Sequence, residues 1–218
     1  MIGFTPDAPI SLQARADVNR DRYPRSQYGV GNASNWSVGA DLGFMFSDDF
    51  TATLFYTFED QRSRQRSRQI VNANAAVATS ADSDWVNQSI DKSASVGFGL
   101  RYKGLLGGKL ELDADAIAVR GRTPISTTLG AAIPVAQNPA TAFPDLRARA
   151  DNLNLNARYA VDRQSTVRLN YLYRRLNSAD WAYRQVGVAT LSNVIGTNEV
   201  PAQFTVHGVG VSYIRAFR

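Results

Sequence analysis

The chain has 218 residues, no cysteine, one histidine and a formal net charge of +5 from 24 basic and 19 acidic side chains. Without thiols there can be no disulfide, thiolate metal site, iron–sulfur cluster or covalent haem attachment, and one imidazole excludes a multi-histidine centre. No apolar run reaches about 18 residues, so no transmembrane helix is encoded. The basic balance is nearly all arginine, scattered along the chain without a recognition motif, so nucleic acid is not an expected partner. Residues 1–10 lack the charged start and apolar stretch of a secretory signal.

Eight stretches alternate apolar and polar residues with a period of two, the pattern of a strand whose sides meet different media. The first is predicted over about 11–20, with Leu12, Ala14, Ala16 and Val18 on one side. The second, about 35–46, is the cleanest: Trp36, Val38, Ala40, Leu42, Phe44 and Phe46 oppose Ser37, Gly39, Asp41 and Gly43. Ser47-Asp48-Asp49 makes a tight turn. The third, about 50–60, sets Phe50, Ala52, Leu54, Tyr56 and Phe58 against Thr51, Thr53, Thr57 and Glu59. A polar loop is predicted from Gln61 to Ser93.

Strand four, about 94–103, opposes Val96, Phe98, Leu100 and Tyr102 to Gly97, Gly99 and Arg101, and Gly104–Gly108 turns the chain. Strand five, about 109–120, opposes Leu110, Leu112, Ala114 and Ala116 to Glu111, Asp113 and Asp115. A long loop over about 121–146 carries Pro124, Pro134, Pro139 and Pro144. Strand six, about 149–161, has Leu153, Leu155, Ala157 and Tyr159 against Asn152, Asn154, Asn156 and Arg158. After a tight turn over 162–165, strand seven, about 166–175, sets Val167, Leu169, Tyr171 and Tyr173 against Arg168, Asn170 and Arg174. A third long loop, about 177–202, leads to strand eight, about 203–217, with Val209, Val211, Tyr213 and Phe217 on one side.

Strands of about 10–13 residues suit a tilted bilayer crossing, whereas ordinary globular strands are about half that length. Short turns at one end and long loops at the other are the asymmetry of bacterial barrels, with the short side periplasmic. Rings on the apolar side gather near strand ends: Phe44, Phe46, Phe50, Tyr102, Tyr159, Tyr213 and Phe217 towards the periplasm, and Trp36, Tyr56, Phe58, Tyr171 and Tyr173 towards the outside. Two aromatic girdles suit the two membrane interfaces. The expected architecture is all-β, an antiparallel up-and-down transmembrane β-barrel segment spanning residues 1–218. Its lumen would be lined by Asp41, Glu59, Arg101, Glu111, Asp113, Asp115, Arg158 and Arg168. A soluble lipocalin-like barrel would instead need a mostly charged outer face.

Glu111, Asp113 and Asp115 recur at every second position, so they share a side. They either hold a cation or are balanced by Arg101, Arg158 and Arg168, and no local turn gathers their oxygens round one ion. Arg62, Arg64, Arg66 and Arg68 form a basic group in the predicted surface loop, either solvated or gripping phosphates of lipopolysaccharide. His207 reads as a structural residue near the interface, and Trp85 and Trp181 as loop anchors. No Ser–His–Asp grouping or phosphate-binding glycine loop is present, so no enzymatic activity is expected.

Several segments, in order, carry a family likeness. They are Arg22-Tyr23-Pro24, Trp36-Ser37-Val38-Gly39-Ala40-Asp41, Tyr56-Thr57-Phe58-Glu59-Asp60 and the arginine run of Gln61–Ser67. Phe143-Pro144-Asp145-Leu146, Ser178-Ala179-Asp180-Trp181-Ala182 and Ser192-Asn193-Val194 complete the set. Over about 10–217 the chain resembles the C-terminal part of the MtrB/PioB family of decahaem-associated outer-membrane proteins. The resemblance implies a porin-like sheath in Gram-negative bacteria. It would enclose a multihaem c-type cytochrome for extracellular electron transfer and bind no haem itself.

Members of that family are much longer, with a signal peptide, often a Cys-x-x-Cys, and more than twenty strands. An eight-stranded barrel closed alone has an interior just filled by side chains, too narrow for a cytochrome. The chain is therefore expected to be the C-terminal third of a larger barrel. Val209, Val211, Tyr213 and Phe217 resemble a terminal assembly signal, interrupted by Arg215. The alternatives are a small closed barrel binding lipid or surface partners, and a diffusion pore.

Overall fold

The computed structural model describes residues 2–4, 9–69, 80–133, 144–180 and 202–217. The period-two pattern produces β1 (Ile2–Phe4), β2 (Ile10–Arg22), β3 (Gly29–Ser47), β4 (Phe50–Arg68) and β5 (Asp84–Leu105). These are followed by β6 (Leu110–Thr123), β7 (Ile125–Leu129), β8 (Leu146–Ala160), β9 (Ser165–Ala179) and β10 (Gln203–Arg215). All lie in one antiparallel sheet in the order β1-β2-β3-β4-β5-β6-β8-β9-β10, and β7 folds back on β5. Among the described residues β10 pairs only with β9, so the sheet is open rather than closed into a ring.

Local chemistry sets the tight turns. The Ser47 hydroxyl accepts from the Phe50 amide at 3.1 Å between β3 and β4. Asp162 accepts from the amides of Gln164 and Ser165 at 2.7 and 2.8 Å between β8 and β9, an Asx turn. Between β5 and β6, Gly107 and Gly108 take φ values of 67° and 82°, which glycine adopts without steric cost.

Strands extend well past their predicted ends. The predicted loop from Gln61 to Ser93 is largely ladder: β4 continues to Arg68 and pairs with β5 from Asp84 onward. Trp85 is thus a strand residue, not a loop anchor. The predicted loop over 121–146 likewise contains the end of β6, all of β7 and the start of β8. Beyond Asp60 both sides of β4 are polar, so the hydrophobic period disappears while the hydrogen-bond ladder does not. Trp181, Pro134, Pro139, Phe143 and the segment 192–194 lie outside the described residues.

The sheet has no interior of its own. Ala52 and Ile133 are the buried hydrophobic residues among those described, while Val209, Val211 and Tyr213 are 73%, 71% and 59% exposed. Apolar side chains laid out on one side in this way need a covering medium that the described residues do not supply.

Candidate functional site

Direct cross-strand partners share a side of the sheet, so the register assigns every residue to a face. One row runs Leu12, Leu42, Leu54, Phe98, Ala116 and Leu153, and continues through Tyr173 to His207, crossing all eight long strands. A row on the opposite face runs Thr51, Arg101, Asp113, Asn156, Asn170 and Gly210. The sheet has one apolar and one polar face.

Rings occupy both ends of the apolar face. At the tight-turn end Phe44, Phe46, Phe50 and Tyr102 form a chain with successive centroid separations of 6.1, 4.9 and 5.6 Å. Tyr159 and Tyr213 share that face, and the Tyr213 hydroxyl donates to Ser165 Oγ at 2.9 Å. At the long-loop end Trp36 and Phe58 lie 5.2 Å apart, with Tyr56 beside them. Tyr171 and Tyr173 flank His207, whose Nδ1 shares a hydrogen bond of 2.9 Å with the Tyr171 hydroxyl. Phe217 sits past the end of β10, with the Arg215 guanidinium 5.9 Å over its ring.

On the polar face Arg101, Glu111, Asp113, Asp115, Arg158 and Arg168 line one cleft of about 360 Å³. Arg101 donates to Asp113 at 2.6 Å and lies 3.9 Å from Glu111, which Arg158 approaches to 4.0 Å from the next strand. Glu111 and Asp113 are thus paired with Arg101 and Arg158, and Asp115 and Arg168 line the same cleft. Glu59 stands apart, nearer the long loops, accepting from Asn35 at 2.8 Å, and lines a second cleft of about 670 Å³. Asp41 also stands apart, on the polar face opposite Phe55.

The surface-loop placement of Arg62, Arg64, Arg66 and Arg68 is corrected by the structure. All four belong to β4 and alternate on the same face as Tyr56 and Phe58. Arg62 holds Asp60 at 2.7 Å, while Arg66 and Arg68 clamp Asp84 at 2.5 and 2.6 Å. The hydrogen bond from Arg68 holds the Asp84 carboxyl below its usual range, helped by Arg66 and opposed by burial.

One polar-face residue carries no sequence signal of its own. Phe55 falls between Thr53 and Thr57, and its ring fills the space above Gly97, its partner on β5. Parity alone places Phe55 on that face, but the glycine beneath it becomes visible only once the strands are paired.

The family model described as "Putative outer membrane beta-barrel porin, MtrB/PioB" matches residues 1–217. The chain belongs to the MtrB/PioB family. It is also similar to the "Outer membrane protein MtrB" of Shewanella baltica (strain OS185), with 23% identity over 211 residues. That match covers 97% of this chain and 28% of the relative, so the chain spans little more than a quarter of that protein's length. MtrB/PioB proteins are porin-like outer-membrane barrels rather than enzymes, and the outer membrane is the location of this sheet.

Proposed function

We propose that this chain is an eight-strand section of a wide outer-membrane sheath, with its apolar face against lipid and its polar face lining a lumen that houses a multihaem c-type cytochrome. The observation that carries the reading is the placement of glycine. Between the two aromatic bands Gly39, Gly43, Gly97, Gly99, Gly208 and Gly210 all lie on the polar face. Serine and threonine surround them, as at Ser37, Thr53, Thr57, Ser93 and Ser95.

A closed eight-stranded barrel fills its interior with side chains. On β3, β5 and β10 the small residues do the opposite, leaving room beside the wall for a large guest, while β6, β8 and β9 present asparagine and charged side chains. The edge of β10, without a strand partner among the described residues, points the same way, because a lipid-exposed sheet cannot leave its backbone groups unsatisfied. Further strands complete the wall.

In this role the chain works by insulation and positioning. Lipid on one face and a wall of small polar and oppositely charged residues on the other separate the haem carrier from the membrane. The balanced ion pairs around Arg101 and Glu111 give the wall polarity without a strong net field. The sequence's one histidine lies on the apolar face, away from the lumen, so haem would be held by the partner.

Purification of the full-length protein from outer membranes, followed by haem staining, tests the reading. Co-migration of a haem-bearing protein supports it. A haem-free barrel with steady ion conductance would replace it with a diffusion pore.

A further inference from the structure

Beyond the rings at the long-loop end, the apolar face changes character at a similar level on successive strands. The next outward-facing positions are Arg20 on β2, Asp60 on β4, Lys92 on β5, Arg120 on β6, Asp151 on β8 and Arg175 on β9. Further out come Arg22, Arg62, Arg122 and Arg149 on the same face.

Several of these cations face each other directly. Arg120 is the cross-strand partner of Arg149, Arg122 of Arg147, and Lys92 of Arg122. Like charges placed opposite each other destabilise a sheet. Two carboxylates relieve the four arginines only in part: Asp151 accepts from Arg120 and Arg149 at 2.8 Å each, and Asp145 lies 2.6 and 3.5 Å from Arg122 and Arg147. The positive charge of these rows would attract an external anion.

The β2–β5 side of the belt goes further. Arg20, Arg22, Arg62 and Arg64 line a groove of about 360 Å³ with Asn32 and Gln88, and no carboxylate lines it. Arg20, Arg22 and Arg64 have no ion pair among the described residues. Ser34, also in the groove, is the next residue on that face after Trp36. An acyl chain lying along Val18, Trp36 and Phe58 would therefore end with its headgroup among these guanidinium groups.

We infer that this groove and the adjoining arginine rows bind the phosphate groups of lipopolysaccharide in the outer leaflet. Guanidinium forks match phosphate oxygens two at a time. Asn32, Ser34 and Gln88 add neutral donors for sugar hydroxyls. A belt at this height would seat a ring of anionic lipid round the barrel and fix its depth in the membrane. The inference rests on the apolar face meeting lipid.

The test uses the full-length protein in detergent, with purified lipopolysaccharide and its dephosphorylated form as probes. The variant Arg20→Gln/Arg22→Gln/Arg64→Gln should bind lipopolysaccharide roughly fivefold more weakly for each cation removed. Dephosphorylated lipopolysaccharide should bind poorly to the unaltered protein. Arg22→Gln, at the end of β2, should show about a fivefold loss alone if the triple variant fails to assemble. The polar-face variant Arg15→Gln/Arg174→Gln should bind normally. Undiminished binding by the groove variants, or equal binding of the dephosphorylated probe, would overturn the inference and leave the face assignment standing. Loss confined to the polar-face variant would overturn both.

Discussion

The ring of Phe55 occupies the space that a Cβ on Gly97 would need. The two residues are direct partners on β4 and β5, so the aromatic lies across the neighbouring strand instead of projecting from the wall. Gly97→Val must expel the ring. Overpacking of this kind costs about 1–3 kcal/mol. Urea unfolding from lipid vesicles should show that loss, and Phe55→Ala in the Gly97→Val background should recover most of it. Equal loss in the double variant would mean that the ring is not what the glycine accommodates.

Leu155 lies on the apolar side between its partners Ala114 and Tyr171, four residues from Tyr159 of the other ring band. Leu155→Arg should oppose membrane assembly by about 2–4 kcal/mol, the cost of a cation near the midplane of a barrel wall. Leu112→Arg, nearer the tight turns, should cost less. Asp113→Asn, one residue away on the polar face, should assemble normally. Heat-dependent gel mobility of outer-membrane fractions reads all three.

Hydrogen bonds from Arg68 and Arg66 hold the Asp84 carboxyl below its ordinary value of 3.8. Its contribution to stability is therefore complete above that value and is lost as pH falls through the lower folded value. The urea midpoint of the unaltered protein should exceed that of Asp84→Asn by a constant margin between about pH 5 and 8. The margin should close below pH 3.8. A margin that persisted unchanged in strong acid would show that the clamp does not depend on the charge.

Arg101 is the nearest cation to Asp113 and also approaches Glu111. Arg101→Gln leaves the cleft on the polar face with an excess carboxylate. If that cleft lines a water-filled passage, reversal potentials of the guest-free barrel in a salt gradient should shift towards cation preference. An unchanged potential would place the cleft away from the ion path.

The central part of each strand was legible in the sequence because apolar and polar residue types alternate there and the two faces of the sheet differ accordingly. Trp36 to Phe46 shows this, and the same parity correctly separates Leu112 from Asp113. The strand ends were not legible by that signal. Beyond Asp60 both faces of β4 are polar, so hydropathy no longer alternates although pairing continues to Arg68. Another alternation was present there: arginine at 62, 64, 66 and 68 with serine or glutamine between is itself a strand pattern. β7 was hidden for a different reason, because Pro124 and the short Ile125–Leu129 segment read as loop until β5 supplies the partner. Shared parity puts Arg149 beside Asp151 and Arg147 beside Asp145 two residues apart, but the bridges of Arg101 to Asp113, Arg122 to Asp145 and Arg120 to Asp151 depend on register between separate strands.

The central claim is that the apolar face meets lipid and the polar face meets an aqueous space. The chain contains no cysteine, so a thiol introduced into it reports on one position. Leu112→Cys, Asp113→Cys, Ala114→Cys and Asp115→Cys sample both faces of β6 in succession. Each would carry an environment-sensitive fluorophore in vesicles with either nitroxide-labelled lipid or a water-soluble quencher. Lipid quenching at 112 and 114 with aqueous quenching at 113 and 115 is the expected result; the opposite alternation, or none, would contradict the account.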